Sequence, residues 1–261
     1  LEREVATLRQ RNLRQLIILV LTISVTLVAL ILVAQPYVLR YRAANDVPLV
    51  AVPELGVAFE AYEVTNERYR WCMDANVCDT PEGFRQVRDD WLANRLKPVA
   101  GIDAAEAMDF CHWLGRELPT LDEWLAAAPP QFEQWSELGP NEALLCRLPD
   151  ELCSGQEATA ALTSVGAGRR SQYAAADGAG IFDLVGSISE WTRTQLNDDA
   201  TTTDIEAIPL EPVNLVTPGE HFRIPVDEAG LYGRLGVTTR SESRSDAYGI
   251  RCVERATRLI E

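Results

Sequence analysis

Residues 103–130 read DAAEAMDFCHWLGRELPTLDEWLAAAPP, a stretch that holds two short helices with their start and stop signals in place. Asp103, with Glu106 three residues on, makes a capping-box-like start. Ala107, Phe110, Cys111 and Leu114 then supply an apolar stripe at helical spacing, and Gly115 stands where the helix must stop. Thr120 caps the next helix, Leu121–Ala128, which Pro129 and Pro130 terminate. Upstream, Val57–Thr65 reads as a strand and Asn66–Ala75 as a helix with Tyr69 and Cys72 on one face. Val47–Val52, flanked by Pro48 and Pro53, reads as an extended entry segment. Helices and strands in short alternation predict an α+β domain. Beyond Pro130 the periodicity fades. Residues 130–180 and 193–225 are rich in Pro, Gly, Ser, Thr and acids, with scattered short strands, and read as irregular chain of the kind that is clamped or used for binding.

At the other end of the chain, Leu16–Ala34 (LIILVLTISVTLVALILVA) carries no charge, no Gly and no Pro. Nineteen helical residues span roughly 28 Å, close to the hydrocarbon thickness of a bilayer. Thr22, Ser24 and Thr26 are its only polar members, and a helix can bond their hydroxyls to its own carbonyls. A buried core helix should show a polar face, which this run lacks, and a cleaved signal peptide should have a shorter apolar region and an A-x-A-like site. The run reads as a single transmembrane helix ended by Pro36. Four arginines precede it and two follow, which puts the N-terminus on the cytoplasmic side and the C-terminal part in the periplasm or outside the cell. Leu1, Val5, Leu8 and Asn12 are spaced as d-a-d-a positions of a short coiled coil, although a plain amphipathic juxtamembrane helix has the same pattern. The chain opens on Leu1 rather than Met and so reads as part of something longer. The expected organisation is a juxtamembrane helix over 1–15, the span over 16–34, a tether and entry strand over 35–53 and an outer domain over 54–261.

The charge divides the same way. Six arginines and two glutamates make residues 1–42 net +4, which leaves −19 on residues 43–261 of the chain's −15. A domain that acidic repels phosphate backbones and has no basic stripe to offset it, so nucleic acid is excluded as a partner. Hydrophobic residues at 47% and six Trp argue that the outer part is a packed globule rather than a disordered tail.

Five segments, in order, resemble one family. They are YEVTN (62–66) continuing to Tyr69; PVAGI (98–102) followed by AAEAMDFCHWLG (104–115); RELPT (116–120) with Glu123, Trp124, Ala127 and Ala128; GIFDLVG (180–186) with Glu190 and Trp191; and GIRCV (249–253). Together, over about residues 60–254, they are similar to the formylglycine-generating enzyme or sulfatase-modifying factor domain. The resemblance implies an irregular, C-type-lectin-like α+β fold with little regular structure.

Six cysteines allow fifteen pairings, and spacing alone chooses none. Proximity lets Cys72 with Cys78, and Cys146 with Cys153, close small loops, and neither spacing is that of a C-x-x-C zinc or redox site. The resemblance implies the third bridge, Cys111 to Cys252. Three disulfides with no thiol left over fit an oxidising compartment.

Active members of the family carry two more cysteines ahead of the terminal G-F-R-C, which bind copper and oxidise a substrate cysteine. The corresponding stretch here, residues 231–248 (LYGRLGVTTRSESRSDAY), has no cysteine and no intact R-G-G-S. His112 and His221 are the only histidines, too few for the histidine-bound iron of the related sulfoxide synthases. Cys111 and His112 are helix neighbours that point about 100° apart, a poor nucleophile–base pair. The expectation is a non-enzyme without copper. The resemblance also implies a structural calcium ion on the Asp183 side chain, the Gly186 and Ile188 carbonyls and the Glu190 side chain, the competing reading being a solvated acidic turn. Arg234, Arg240, Arg244 and Tyr248, among Ser and Thr, have a composition suited to recognition, and equally to a solvated loop. The function expected is an extracytoplasmic binding or assembly module on one membrane helix, as an accessory subunit of a membrane complex or a receptor ectodomain, with other membrane or extracytoplasmic proteins and the bilayer as partners. The alternatives are a formylglycine-generating oxidase and the sensor ectodomain of a membrane kinase.

Overall fold

The apolar run belongs to one long helix, α1 (Glu2–Asn45), in the computed structural model, which describes residues 2–128, 173–174, 180–184, 188–199, 201–218, 237–245 and 247–255. Residues 14–45 of α1 form a helix long and apolar enough to cross a membrane, and none of its apolar window is buried against the rest of the chain. The Thr22 hydroxyl donates to the Ile18 carbonyl and the Thr26 hydroxyl to the Thr22 carbonyl, each at 2.8 Å, so these polar side chains are satisfied within the helix.

Pro36 does not end this helix. The residues read as the start of a tether, 35–45, are its last turns. A proline inside a helix removes a hydrogen bond and crowds the carbonyl four residues back, at a cost of about 3 kcal/mol. Tertiary contacts offset that cost. Ala43 is fully buried, Leu39 and Ala44 pack on the same apolar cluster, and α1 lies against α2 (Asn66–Asp74) and α5 (Ala104–Leu114). The terminal carbonyls, which a helix leaves without partners, are met by guanidiniums. Arg68 Nε and one terminal nitrogen donate to the Ala43 carbonyl at 3.1 and 3.0 Å, and Arg116 donates to the Ala44 carbonyl at 2.7 Å.

Both arginines converge on Glu60. Arg68 spans the two carboxylate oxygens at 2.9 and 2.7 Å, and Arg116 reaches Oε1 at 2.5 Å. Glu60 and Arg68 are fully buried. Burial pushes the Glu60 carboxyl up, but the two guanidiniums more than reverse this and hold it below its ordinary value.

After α1 the chain forms β1 (Leu49–Val52), a 3-10 turn at Pro53–Leu55 and β2 (Val57–Glu60), shorter than the strand expected to reach Thr65. β1 pairs antiparallel with β2, and β2 pairs on its other side with the last strand, β11 (Val253–Arg255), so the two ends of the domain share one sheet. The Thr65 hydroxyl caps α2 by accepting from the Arg68 amide. Two short helices, α3 (Phe84–Asp89) and α4 (Trp91–Asn94), were not evident in the periodicity.

Both capped helices of the 103–130 stretch are present. Asp103 and Glu106 form a reciprocal capping box on α5, and Gly115 closes it in the left-handed conformation at φ 81°. Thr120 and Glu123 do the same for α6 (Leu121–Ala127). Each such cap contributes about 1 kcal/mol. α5 buries Ala107, Phe110, Cys111 and Leu114 in one core cluster with Tyr69, Ile102, Trp191 and Ile250. A second cluster gathers Val50, Phe59, Trp124, Ile181, Leu184 and Val253 between the β1–β2–β11 sheet and α6.

The short strands expected within 193–225 are present and join one sheet. β6 (Thr194–Leu196) pairs antiparallel with β7 (Thr202–Asp204) and β8 (Asn214–Thr217), and β8 with β9 (Val237–Arg240), in the order β7-β6-β8-β9. Thr-rich segments of this kind are good strand formers, but their partners lie far along the chain. The remaining strands are two residues each. β3 (Tyr173–Ala174) pairs antiparallel with β4 (Gly180–Ile181), and β5 (Ser189–Glu190) pairs parallel with β10 (Tyr248–Gly249). The described residues make a mixed α/β domain following an apolar N-terminal helix.

Candidate functional site

The β5–β10 pair sets Ser189 and Glu190 beside Tyr248 and Gly249, and so joins the expected calcium turn to the end of the expected binding loop. Gly249 has to be small, because a Cβ there would lie 3.0–3.1 Å from the Ile188 side chain and the Val99 carbonyl. Tyr248 is tilted against Trp191 with ring centroids 5.4 Å apart, and the Trp191 indole donates to the Ile102 carbonyl at 3.3 Å.

Glu190 is fully buried and both of its oxygens are engaged. Arg251 donates to Oε1 at 2.8–2.9 Å and the Trp124 indole donates to Oε2 at 2.8 Å. Arg251, also fully buried, donates in addition to the Glu60 carbonyl at 3.0 Å and the Phe182 carbonyl at 2.7 Å. Three of the resembling segments therefore meet at one point: Trp124 from α6, Glu190 from β5 and Arg251 ahead of β11. Burial pushes the Glu190 carboxyl up and the charge of Asp183 adds to this, against the pull of Arg251 and Trp124. Glu63 and Asp183 also help to raise the pKa of Arg251.

Of the four calcium positions, Asp183, Ile188 and Glu190 are described and Gly186 lies outside the described residues. Asp183 takes a left-handed backbone at φ 59°, which is uncommon for a residue with a Cβ. Among the described residues no group of three or more His, Cys, Asp or Glu side chains is arranged to hold a metal ion.

The binding-loop residues are placed apart in role. Arg244 reaches α5, where it pairs with Asp103 and Glu106 at 3.0 Å and so braces the capping box. Arg240 pairs with Glu242 at 2.8 Å on the exposed surface. Arg234 lies outside the described residues.

Two of the three expected disulfides are formed. Cys72 bonds Cys78 across the end of α2, and Cys111 of α5 bonds Cys252 beside β11, with Cα atoms 5.3 and 5.6 Å apart. Cys146 and Cys153, like His221, lie outside the described residues. All four described cysteines are thus oxidised, and no cysteine stands between Cys153 and Cys252. His112, on the exposed side of α5, has no Cys111 thiol to activate.

Sequence reasoning missed the buried charge clusters, Glu60 with Arg68 and Arg116, and Glu190 with Arg251. The available signal was their position inside or beside the family-like segments, since Arg116 opens RELPT and Arg251 lies within GIRCV.

The family model described as "Sulfatase-modifying factor enzyme 1-like domain" matches residues 37–256. Among curated proteins, the Bos taurus "Inactive C-alpha-formylglycine-generating enzyme 2" is 28% identical over 170 residues, covering 62% of this chain and 51% of the relative. The chain therefore spans about half the length of that relative. Among solved structures, Treponema denticola variable protein 1 aligns with a TM-score of 0.45 at 17% identity, over 77% of this chain and 84% of that one. CarF aligns with a TM-score of 0.44 at 13% identity, over 77% and 87%.

Proposed function

The chain belongs to the sulfatase-modifying factor enzyme 1-like domain family, and on that premise we propose that its domain is a non-catalytic extracytoplasmic assembly module carried on a single membrane-spanning helix. The observation that carries the reading is the use of the cysteines. The family's oxidase chemistry needs a reactive pair between its R-G-G-S motif and the terminal G-F-R-C. Here that interval has none, and Cys252 itself is tied to Cys111. A curated relative that bears the word inactive in its name supports the same reading. The small scattered sheets and long connections suit a C-type-lectin-like frame, whose loops then serve recognition rather than turnover.

Disulfides favour an oxidising compartment, and the wholly exposed apolar face of α1 favours insertion in a bilayer over burial in a core. With the arginine bias, this puts the N-terminus in the cytoplasm and the domain outside it. The partners in keeping with such a module are other membrane or extracytoplasmic proteins. The test of non-catalysis is incubation of the full chain with a cysteine-containing sulfatase peptide, copper and oxygen. The expected result is no aldehyde above the no-protein control, and copper-dependent conversion of the cysteine would overturn the reading.

A structural calcium ion on Asp183, Gly186, Ile188 and Glu190 remains part of the proposal. It is supported by the negative charge around Arg251, where Asp183 adds to Glu190, and by the left-handed turn at Asp183. Against it stands the engagement of both Glu190 oxygens by Arg251 and Trp124. Saturating calcium should raise the melting temperature by about 5 °C or more over the chelated protein, as expected for a ligand well above its Kd on a domain of this size. Identical melting curves would leave Glu190 as the counter-ion of Arg251 alone.

A further inference from the structure

The apolar span and the domain are separated by very little chain. Ala43 is fully buried and its carbonyl is held by Arg68, whereas Tyr37, Val38 and Tyr41 are 72%, 60% and 73% exposed. Residues 37–42 are helical and cover about 9 Å. The headgroup layer beyond the hydrocarbon is about 5–7 Å thick on each side. A helix fixed into the domain at Ala43 therefore leaves residues 37–42 at headgroup depth.

The chemistry of that turn suits the position. Tyr37, Arg40 and Tyr41 share a helix face by their spacing, with ring bodies for the interface and a guanidinium among them. Arg42 points to a different side and is held with its guanidinium carbon 4.4 Å over the Trp71 ring. The Arg40 guanidinium lies against the end of α5, 3.0 Å from where a Cβ on Gly115 would be. From Val5 to Asn45 there is no acidic residue, although residues 43–261 are net −19. Two exposed arginines thus stand as a cationic collar between an apolar helix and an acidic domain.

We propose that this collar binds the phosphate groups of anionic phospholipids, Arg40 on one flank of the helix and Arg42 on the other. The buried Glu60–Arg68–Arg116 cluster keeps the collar at a fixed height, and with it the domain face formed by α2 and the end of α5. The guanidinium fork suits phosphate oxygens, and the acidic domain above supplies the repulsion that confines such lipids to the collar. The inference rests on the membrane-anchor reading of α1.

The experiment uses the purified full chain and its R40Q/R42Q variant. Flotation with vesicles of phosphatidylcholine and phosphatidylglycerol tests the anchor, and native mass spectrometry of each protein titrated with phosphatidylglycerol in detergent reads lipid affinity. Both proteins are expected to float, since the apolar span is unchanged. The variant is expected to bind phosphatidylglycerol roughly thirtyfold more weakly, from about 1 kcal/mol per cation at a lipid surface. Equal affinity of the two floating proteins overturns the collar and leaves the anchor standing. Failure of the unaltered chain to float overturns both.

Discussion

Glu60→Ala is expected to destabilise the domain by about 3–5 kcal/mol and to release the end of α1 from it. The loss comes from uncompensated buried charge. In the intact protein one buried carboxylate serves two guanidiniums, and the same guanidiniums serve the last carbonyls of the helix. Without the carboxylate, Arg68, which is fully buried, keeps its charge with only the Ala43 carbonyl and the Phe110 ring as partners, and Arg116, which is nearly buried, keeps the Ala44 carbonyl and a longer, half-exposed pairing with Glu254 at 3.6 Å. The structure relieves this most readily by letting the arginines reach water, and that means undocking α1. Chemical denaturation reads the stability change, and amide exchange over residues 39–45 reads the undocking. A Glu60→Ala protein with an unchanged unfolding midpoint and unchanged protection there would contradict the assignment. The same cluster sets a pH dependence. The folded-state pKa of Glu60 lies below its ordinary value near 4.5. Its contribution is therefore fully present above that value and is lost as pH falls through the folded-state pKa. In Glu60→Gln this component of acid destabilisation should disappear.

Replacing Cys111 and Cys252 together by Ala is expected to cost about 4–5 kcal/mol in the chain-entropy account, less whatever relaxation the native state permits. The bridge joins residues 141 apart, from the middle of α5 to the approach to β11. It is thus the covalent counterpart of the sheet in which β2 pairs with β11. Cys72–Cys78 spans only six residues, so its loss should cost much less. Measured unfolding free energies of the two double variants should keep that order. A larger loss from the short bridge would contradict it.

The legible parts of the fold were those written locally. Asp103 with Glu106, Thr120 as a cap, and Gly115 behind the α5 stripe each specify a helix end within four residues, and the structure places the ends there. The long bridge was legible only through the resemblance, because six cysteines of arbitrary pairing say nothing by spacing. The continuation of α1 through Pro36 was not legible. What stabilises those turns is contact with α2 and α5 and the donation from Arg68 and Arg116, residues 25 and 72 positions distant from the carbonyls they meet. Buried charge is hidden for a related reason. Glu60, Arg68, Glu190 and Arg251 look like surface residues to any argument from polarity, and only assembled partners make their burial tolerable. Short strands were legible over 193–225, but the bounds and pairing of β6–β9 were not, because Thr194–Leu196 and Thr202–Asp204 lack the apolar alternation that marks a strand facing a core; β7 is exposed throughout.

These features tie the four described cysteines into the frame. Two bridges tie α2 to its own end and α5 to β11, while Glu190 and Arg251 lock the turn between them. The most direct measurement is alkylation of the denatured, unreduced full chain followed by intact-mass determination. The account predicts no labelled cysteine among the six. Two or more labelled cysteines would contradict it, restore a thiol for metal or redox chemistry, and remove the argument that the domain lies in an oxidising compartment.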